Sequence, residues 1–234
     1  MKLAIMQPYL FPYLGYFQLI NTVDKFVIYD DVNYIKRGWV NRNRILVNGL
    51  PFMFTLPIHK PSQNTYIKNT NISSNYLIWQ KKFRKTIVHA YRNAEFFDEN
   101  VAMIDKILKC EKRTLSSYIE NALKIICQAL AIETKIVLSS NAYTNTHLKA
   151  QERIVDICKQ ENANMYINAI GGLALYQSEQ FEQHNIELQF LKSHEIEYQQ
   201  MSEHYVPYLS ILDQLMYTGL KKTKNSLAMY SLTS

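Results

Sequence analysis

The chain has 234 residues, and 26 Lys+Arg against 20 Asp+Glu give it a net charge of +6 at pH 7. Hydrophobic residues make up 47%, with six Gly and six Pro, which excludes disorder, collagen-like repeats and low-complexity linkers because apolar material for a core is ample. No apolar run approaches the ~20 residues that cross a bilayer, and Gln7 and Pro8 interrupt any leader core, so the expectation is a cytoplasmic α/β protein with no membrane insertion and one domain over residues 1–234.

Residues 3–7 read as a short buried strand, followed by a Pro/Tyr-rich turn from Pro8 to Pro12. Residues 15–23 read as a helix with Phe17, Leu19, Ile20 and Val23 apolar, and residues 25–31 as a second apolar strand ending in two carboxylates. Strand, helix and strand in this order predict a right-handed parallel βαβ unit. Asn48-Gly49 sits between two extended runs, residues 44–47 and 52–56, and predicts a two-residue hairpin turn. Pro51 places the second of these strands at an edge, and residues 65–72 suggest another short strand.

A helical block follows over residues 75–130. Trp79, Phe83 and Ile87 recur at helical spacing in 75–92, residues 101–109 carry a second apolar stripe, and Thr114 is positioned to cap a third helix through Leu130. The strand–helix alternation then resumes: strand 135–139, helix 149–160, strand 165–170, a Gly171-Gly172 break, helix 173–182, strand 186–190 and helix 208–217. The sum is a mostly parallel sheet interrupted by an inserted β-hairpin and the helical block. Cys110, Cys127 and Cys158 have no CxxC spacing and fall in helices, which predicts reduced core thiols. The scattered histidines lack metal-ligand spacing, so no metal is expected.

In an open parallel sheet, ligands bind beyond the carboxyl ends of the strands. The first such turn holds Gln7, Tyr13, Gly15 and Tyr16, where Gly15 either opens a helix toward a phosphate or closes a rigid turn. After the second strand come Asp30 and Asp31, then Asn33, Tyr34, Lys36, Arg37, Trp39, Asn41, Arg42 and Asn43. Directional donors interleaved with aromatic rings suit phosphate, sugar hydroxyls and a stacked base. Ser139 and Ser140 cap a helix or touch a phosphate, and Asn168, Gly171, Gly172 and Tyr176 lie beyond a later strand, where glycine permits close ligand approach. Asp213 is either a paired carboxylate or a solvent-facing one. The expectation is that the loops leaving the first two strands converge on one polar mouth.

Four blocks, MQPYLFPYLGYFQLI, DKFVIYDDVNYIKRGWVNRNRI, YINAIGGLALY and YLSILDQLMYTG, resemble the WbqC-like protein family over essentially the whole chain. That resemblance implies bacterial cell-surface polysaccharide or O-antigen biosynthesis and amino-sugar pathways. A further likeness concerns Tyr13-Leu14-Gly15-Tyr16, which has the spacing of the HxGH motif of HUP-class nucleotidyltransferases and implies a Rossmann-like sheet. Both histidines of that motif are tyrosines here. These resemblances imply a transferase that adds an acyl or aminoacyl group to a nucleotide-activated amino sugar. Asp30 or Asp31 would be the catalytic carboxylate, the substrate would be a nucleotide sugar, and the co-substrate would be an acyl or aminoacyl thioester of coenzyme A or of an acyl carrier protein. The alternatives are a HUP-like nucleotidyltransferase and a non-catalytic sugar-nucleotide-binding protein. Nucleic acid is not the expected partner.

Overall fold

The structure is a computed structural model describing residues 1–62 and 64–234. Its strand–helix alternation builds from β1 (Lys2–Met6), α1 (Leu14–Thr22) and β2 (Lys25–Ile28), with β1 and β2 parallel and Leu3 opposite Lys25. Later come β5 (Lys135–Leu138), α5 (Ser139–Ala142), α6 (Ala150–Gln160), β6 (Met165–Ala169), α7 (Ser178–Glu182), β7 (Glu187–Ser193), α8 (Ile211–Ser226) and β8 (Tyr230–Thr233). The sheet order is β5-β2-β1-β6-β7-β8, parallel throughout except for the antiparallel β8. The chain builds outward from β1 in one direction, then reverses and builds out on the other side.

Both faces of this sheet are covered, which is why its strands read as continuous apolar runs. Ala4, Phe26, Ile28 and Ile167 enter a large core shared with α1 and α8. Their neighbours Leu3, Ile5, Val27 and Tyr166 point the other way, into a smaller core with Ile154, Ile157 and Phe181. Side-chain alternation along each strand enforces this division. Each fully buried Leu, Ile or Phe contributes roughly 1.5–3 kcal/mol.

The insertion consists of β3 (Arg42–Val47), β4 (Leu50–Thr55), α2 (Tyr76–Tyr91), α3 (Phe97–Leu108) and α4 (Leu115–Ala129). Asn48 (φ 52°) and Gly49 (φ 77°) make the hairpin turn, both in the left-handed region that this turn needs. Phe54 fixes the hairpin against Phe83 of α2 at 4.7 Å between ring centroids, and Phe83 stacks on Trp79 at 4.9 Å. Thr114 caps α4 by accepting the Ser117 N–H.

Four sequence expectations are corrected. Residues 65–72 form no strand: a single 3-10 turn (Ile67–Asn69) sits among isolated bridges to three different segments, so no continuous ladder exists. The helix expected over 173–182 is a 3-10 turn (Ile170–Leu175) followed by the short α7. The last helix starts later and runs longer than expected, capped at Ser210 and bent at Gly219, whose φ of 69° permits the bend. A Cβ on Gly219 would stand 2.6 Å from the Phe96 ring. Strand β2 stops at Ile28, so Asp30 and Asp31 have already left the sheet.

The three cysteines are free, and burial pushes the Cys127 and Cys158 thiols up to about 12. Among the described residues, no helix is long and apolar enough to cross a membrane.

Candidate functional site

The strand order reverses between β1 and β6, so their two connections leave on opposite faces and open a crevice at their carboxyl ends. A cleft of about 700 Å³ lies there. Ile5, Met6 and Ile154 line its apolar part, while Tyr9, Tyr13, Tyr29, Trp39 and Tyr176 supply rings. Gln7, Gln151 and Asn168 contribute amides, and Gly171 and Gly172 line it as well.

The loop from Gln7 to Tyr13 is held in place by long-range hydrogen bonds. The Leu10 N–H donates to the Val40 carbonyl at 2.9 Å. The Phe11 carbonyl accepts from Asn43 Nδ2 at 2.5 Å and from Ser210 Oγ at 2.8 Å. Those bonds hold Phe11 at φ 46°, a costly conformation for a bulky residue. Tyr16 is buried, and its hydroxyl donates to the Gln7 carbonyl at 2.9 Å.

Rings then pack outward from Tyr9, with Tyr16 at 6.1 Å, Trp39 at 6.2 Å and Tyr13 at 6.4 Å. Trp39 remains 46% exposed, leaving a ring face for a ligand. Arg42 and Arg44 stand 5.4 and 5.8 Å from its ring, in cation–π range.

On the β6 side, Asn168 accepts its neighbour's N–H at 2.7 Å and donates to the Tyr166 hydroxyl at 3.2 Å. Tyr166 in turn meets Tyr176 at 3.3 Å. A Cβ on Gly172 would approach Asn168 Nδ2 to 3.0 Å, whereas one on Gly171 would meet nothing within 4 Å. Gly171 therefore leaves open space over the strand end.

Burial raises the phenols of Tyr9, Tyr13, Tyr16, Tyr29 and Tyr176 above their ordinary value. At Tyr9 the neighbouring Tyr13 adds to this, and Arg44 and Arg42 oppose it. These hydroxyls are neutral at pH 7. No Asp, Glu, His, Lys or Cys lines the cleft among the described residues. The arrangement can stack a ring, hydrogen-bond a sugar or base and exclude water, but it offers no side chain that takes up a proton near neutral pH.

Of the residues expected from sequence, Gln7, Tyr13, Tyr16, Trp39, Asn168, Gly171, Gly172 and Tyr176 meet in this cleft. Gly15 lines a neighbouring, smaller one. Asp30 and Asp31 do not reach the cleft. Asp30 is fully buried and accepts from Ser140 N at 3.0 Å, Ser140 Oγ at 2.8 Å and Ser139 Oγ at 3.2 Å. Asp31 accepts from Ser139 and pairs with Arg153 at 2.6 Å. Both carboxylates, with Ser139 and Ser140, thus tie the end of β2 to α5 and α6.

Asn41 and Asn43 are buried and spend their amides on the carbonyls of Leu56 and of Leu10 and Phe11. Tyr34 donates to Asn41 at 2.8 Å. Asn33, Lys36 and Arg37 are exposed and do not line the cleft, although Ile35 and Gly38 on either side of Lys36 and Arg37 do, and Arg42 stands beside Trp39 with its Nε donating to the Gly38 carbonyl. Tyrosines line this crevice as the sequence suggested, while the guanidinium groups of Arg42 and Arg44 stand beside Trp39 rather than in the lining.

Tyr9, Tyr29 and Gln151 line the cleft without having been singled out in the sequence. Tyr29 had a readable signal, since it lies immediately before Asp30 at a strand end. Gln151 had none, because it reaches the cleft only through the placement of α6.

The model of the WbqC-like protein family matches residues 7–225. The chain is also similar to "Uncharacterized protein Rv1507c" of Mycobacterium tuberculosis, with 31% identity over 227 residues, covering 93% of this chain and 94% of that protein. No solved structure is significantly similar. The family match spans both sides of the crevice, from Gln7 through Asn168 and Gly172 into α8, and on that extent the chain belongs to the WbqC-like protein family.

Proposed function

We propose that the crevice between β1 and β6 binds a nucleotide-activated amino sugar, and that the protein transfers an acyl or aminoacyl group to its amine in the assembly of bacterial cell-surface polysaccharide. The observation that carries this reading is the 700 Å³ aromatic cleft at the point where the strand order reverses. The sheet is read as Rossmann-like on the same ground. A base or hexose stacks on the exposed face of Trp39, Gln7 and Asn168 hydrogen-bond its polar edge, and the space above Gly171 admits the rest of the ligand.

In the transfer, the sugar amine attacks the carbonyl carbon of a thioester. The N–C bond forms, the C–S bond breaks, and the amine proton is lost as the thiol departs. Asp30 and Asp31 lie outside the lining and are engaged by Ser139, Ser140 and Arg153, so this reading gives them the role of holding the end of β2 and not that of proton acceptor. Within this cleft the chain contributes binding and orientation, a source of rate enhancement in its own right.

Thermal denaturation against a panel of nucleoside diphosphate sugars tests the binding step. Ligand at 100 times its Kd stabilises the fold by about 2.7 kcal/mol, so a matching sugar nucleotide raises Tm in a saturable way. Incubation with that ligand and acyl or aminoacyl thioesters then yields an N-acylated product. Binding without any product favours the second reading, a non-catalytic sugar-nucleotide-binding protein, which the lack of an Asp, Glu, His, Lys or Cys in the described lining supports. A HUP-like nucleotidyltransferase is a third reading, on the position of Tyr13-Leu14-Gly15-Tyr16 beside the cleft. It predicts pyrophosphate release from a nucleoside triphosphate, yet no carboxylate of the lining would hold its Mg²⁺ and Tyr16 already spends its hydroxyl on Gln7.

A further inference from the structure

Strand β3 alternates its side chains between two faces. Asn43 and Ile45 turn inward and are fully buried, with Asn43 bonded to the Leu10 and Phe11 carbonyls. Arg42 and Arg44 share the opposite face, and their guanidinium groups come to 5.4 and 5.8 Å from the Trp39 ring. That ring lines the larger cleft, and so does Tyr9, whose phenol both guanidiniums draw down against the effect of burial. The pair therefore stands at the rim of the cleft, next to two of its rings.

Among the described residues, the charge of this pair is unanswered. Neither arginine takes part in any of the ion pairs, whereas Arg84 and Arg153 each have an aspartate. Across the hairpin, Thr55 lies opposite Arg42 and Met53 opposite Arg44, so no carboxylate comes from the neighbouring strand. Arg42 uses its Nε on the Gly38 carbonyl. Arg44 is half-buried, and its Nε is shut off from solvent without any hydrogen-bond partner. A buried donor on a charged group is costly to leave without an acceptor, and folded proteins keep few of them. Two guanidiniums beside one ring also repel each other.

An anion with several acceptor oxygens relieves both costs, because a guanidinium fork matches phosphate in two-point geometry. A diphosphate has oxygens enough for both forks. No lysine or histidine of the described lining competes for it. We infer that Arg42 and Arg44 form the diphosphate subsite of the larger cleft, so that the ligand's anion lies at the hairpin rim beside Trp39 and the rest of the ligand extends over the floor at Ile5, Met6 and Ile154. This inference rests on the reading that the cleft holds a nucleotide sugar.

The chain has two tryptophans, and the other, Trp79, is stacked on Phe83 of α2. Emission of the full chain titrated with inorganic pyrophosphate at fixed ionic strength therefore reports on the site. A saturable change is expected in wild type and is lost in Trp39→Phe. Affinity is expected to fall about tenfold or more in Arg42→Met and in Arg44→Met, and to stay unchanged in Lys85→Met, a lysine exposed on α2. Arg44→Lys keeps the charge without the fork and is expected to bind more weakly than wild type; it decides the matter if Arg44→Met does not fold. No saturation in wild type, a signal that survives in Trp39→Phe, wild-type affinity in the arginine variants, or equal weakening in Lys85→Met overturns the subsite.

A second titration with a nucleoside diphosphate sugar fixes the source of the anion. One-for-one displacement of pyrophosphate, with the same loss in Arg44→Met, supports the assignment. Simultaneous binding of both shows that the pair takes its anion from another molecule, and overturns it. Where no sugar nucleotide binds at all, the reading of the larger cleft fails, while the pyrophosphate titrations still decide whether the arginines hold an anion.

Discussion

Arg153 and Asp31 form an ion pair whose side chains are 3% and 0% exposed. Two charges withdrawn from water this completely depend on each other, and removing one partner of such a pair costs about 3–5 kcal/mol. Asp31→Ala is therefore expected to lower Tm by roughly 10 °C, since 1 kcal/mol shifts a chain of this size by about 2–4 °C. The folded fraction, measured well below that Tm, still binds the cleft ligand with wild-type affinity. A wild-type Tm combined with lost binding would return Asp31 to the functional site.

Asp213 is the opposite electrostatic case. It is fully buried, and burial raises its carboxyl even though Tyr91, Tyr198 and Gln200 all donate to it. A raised folded value means that its contribution to stability is complete below the unfolded carboxyl value of about 3.9. That contribution is lost as pH rises through the higher folded value. Asp213→Asn removes this loss, so the Tm difference between wild type and variant moves in the variant's favour as pH rises above about 4. A difference that is flat with pH would show that the carboxylate is fully compensated.

Among the elements, α8 shows how one glycine sets a direction. Gly219 combines φ 69° with a Cβ position 2.6 Å from the Phe96 ring, and the Phe96 N–H donates to the Met216 carbonyl at 3.1 Å just before the bend. Alanine there meets both a conformational penalty and a steric one. Gly219→Ala is expected to cost more than about 1 kcal/mol by denaturant unfolding. At Gly49 the same conformational freedom makes the hairpin, and its partner Asn48 also accepts positive φ. Elements whose pattern is local were legible in the sequence: the hairpin, the three helices of the insertion, and β1 with α1. β8 was not, because Tyr230–Thr233 is mostly exposed and is a strand only through its pairing with β7.

For the molecule as a whole, the order of the strands places the site. Because β1 pairs with β2 on one side and β6 on the other, the turns after β1 and β6 face each other across a crevice. Gly171 offers a way to fill that crevice without disturbing the scaffold, since nothing lies within 4 Å of its Cβ position. Gly171→Leu is expected to weaken ligand binding at least tenfold while leaving Tm within about 2 °C of wild type. A large Tm loss would show that the open space is part of the packing. Trp39→Ala, measured in the same titration, is expected to weaken binding by a similar factor, as its exposed ring is the stacking surface.

The sequence by itself determined the α/β alternation, the position of the hairpin, the helical insertion and eight of the residues that line the crevice. Those features follow from periodicity, turn chemistry and strand ends, all of which are properties of neighbouring residues. It did not determine the fate of the charged stretch from Asp30 to Asn43. Only the tertiary structure brought Ser139, Ser140 and Arg153 to the two carboxylates, and Leu10, Phe11 and Leu56 to the asparagines. A polar side chain in an open loop and one buried among distant partners have the same local pattern. What separates them is whether chain from 15 to 122 residues away returns to satisfy its hydrogen bonds.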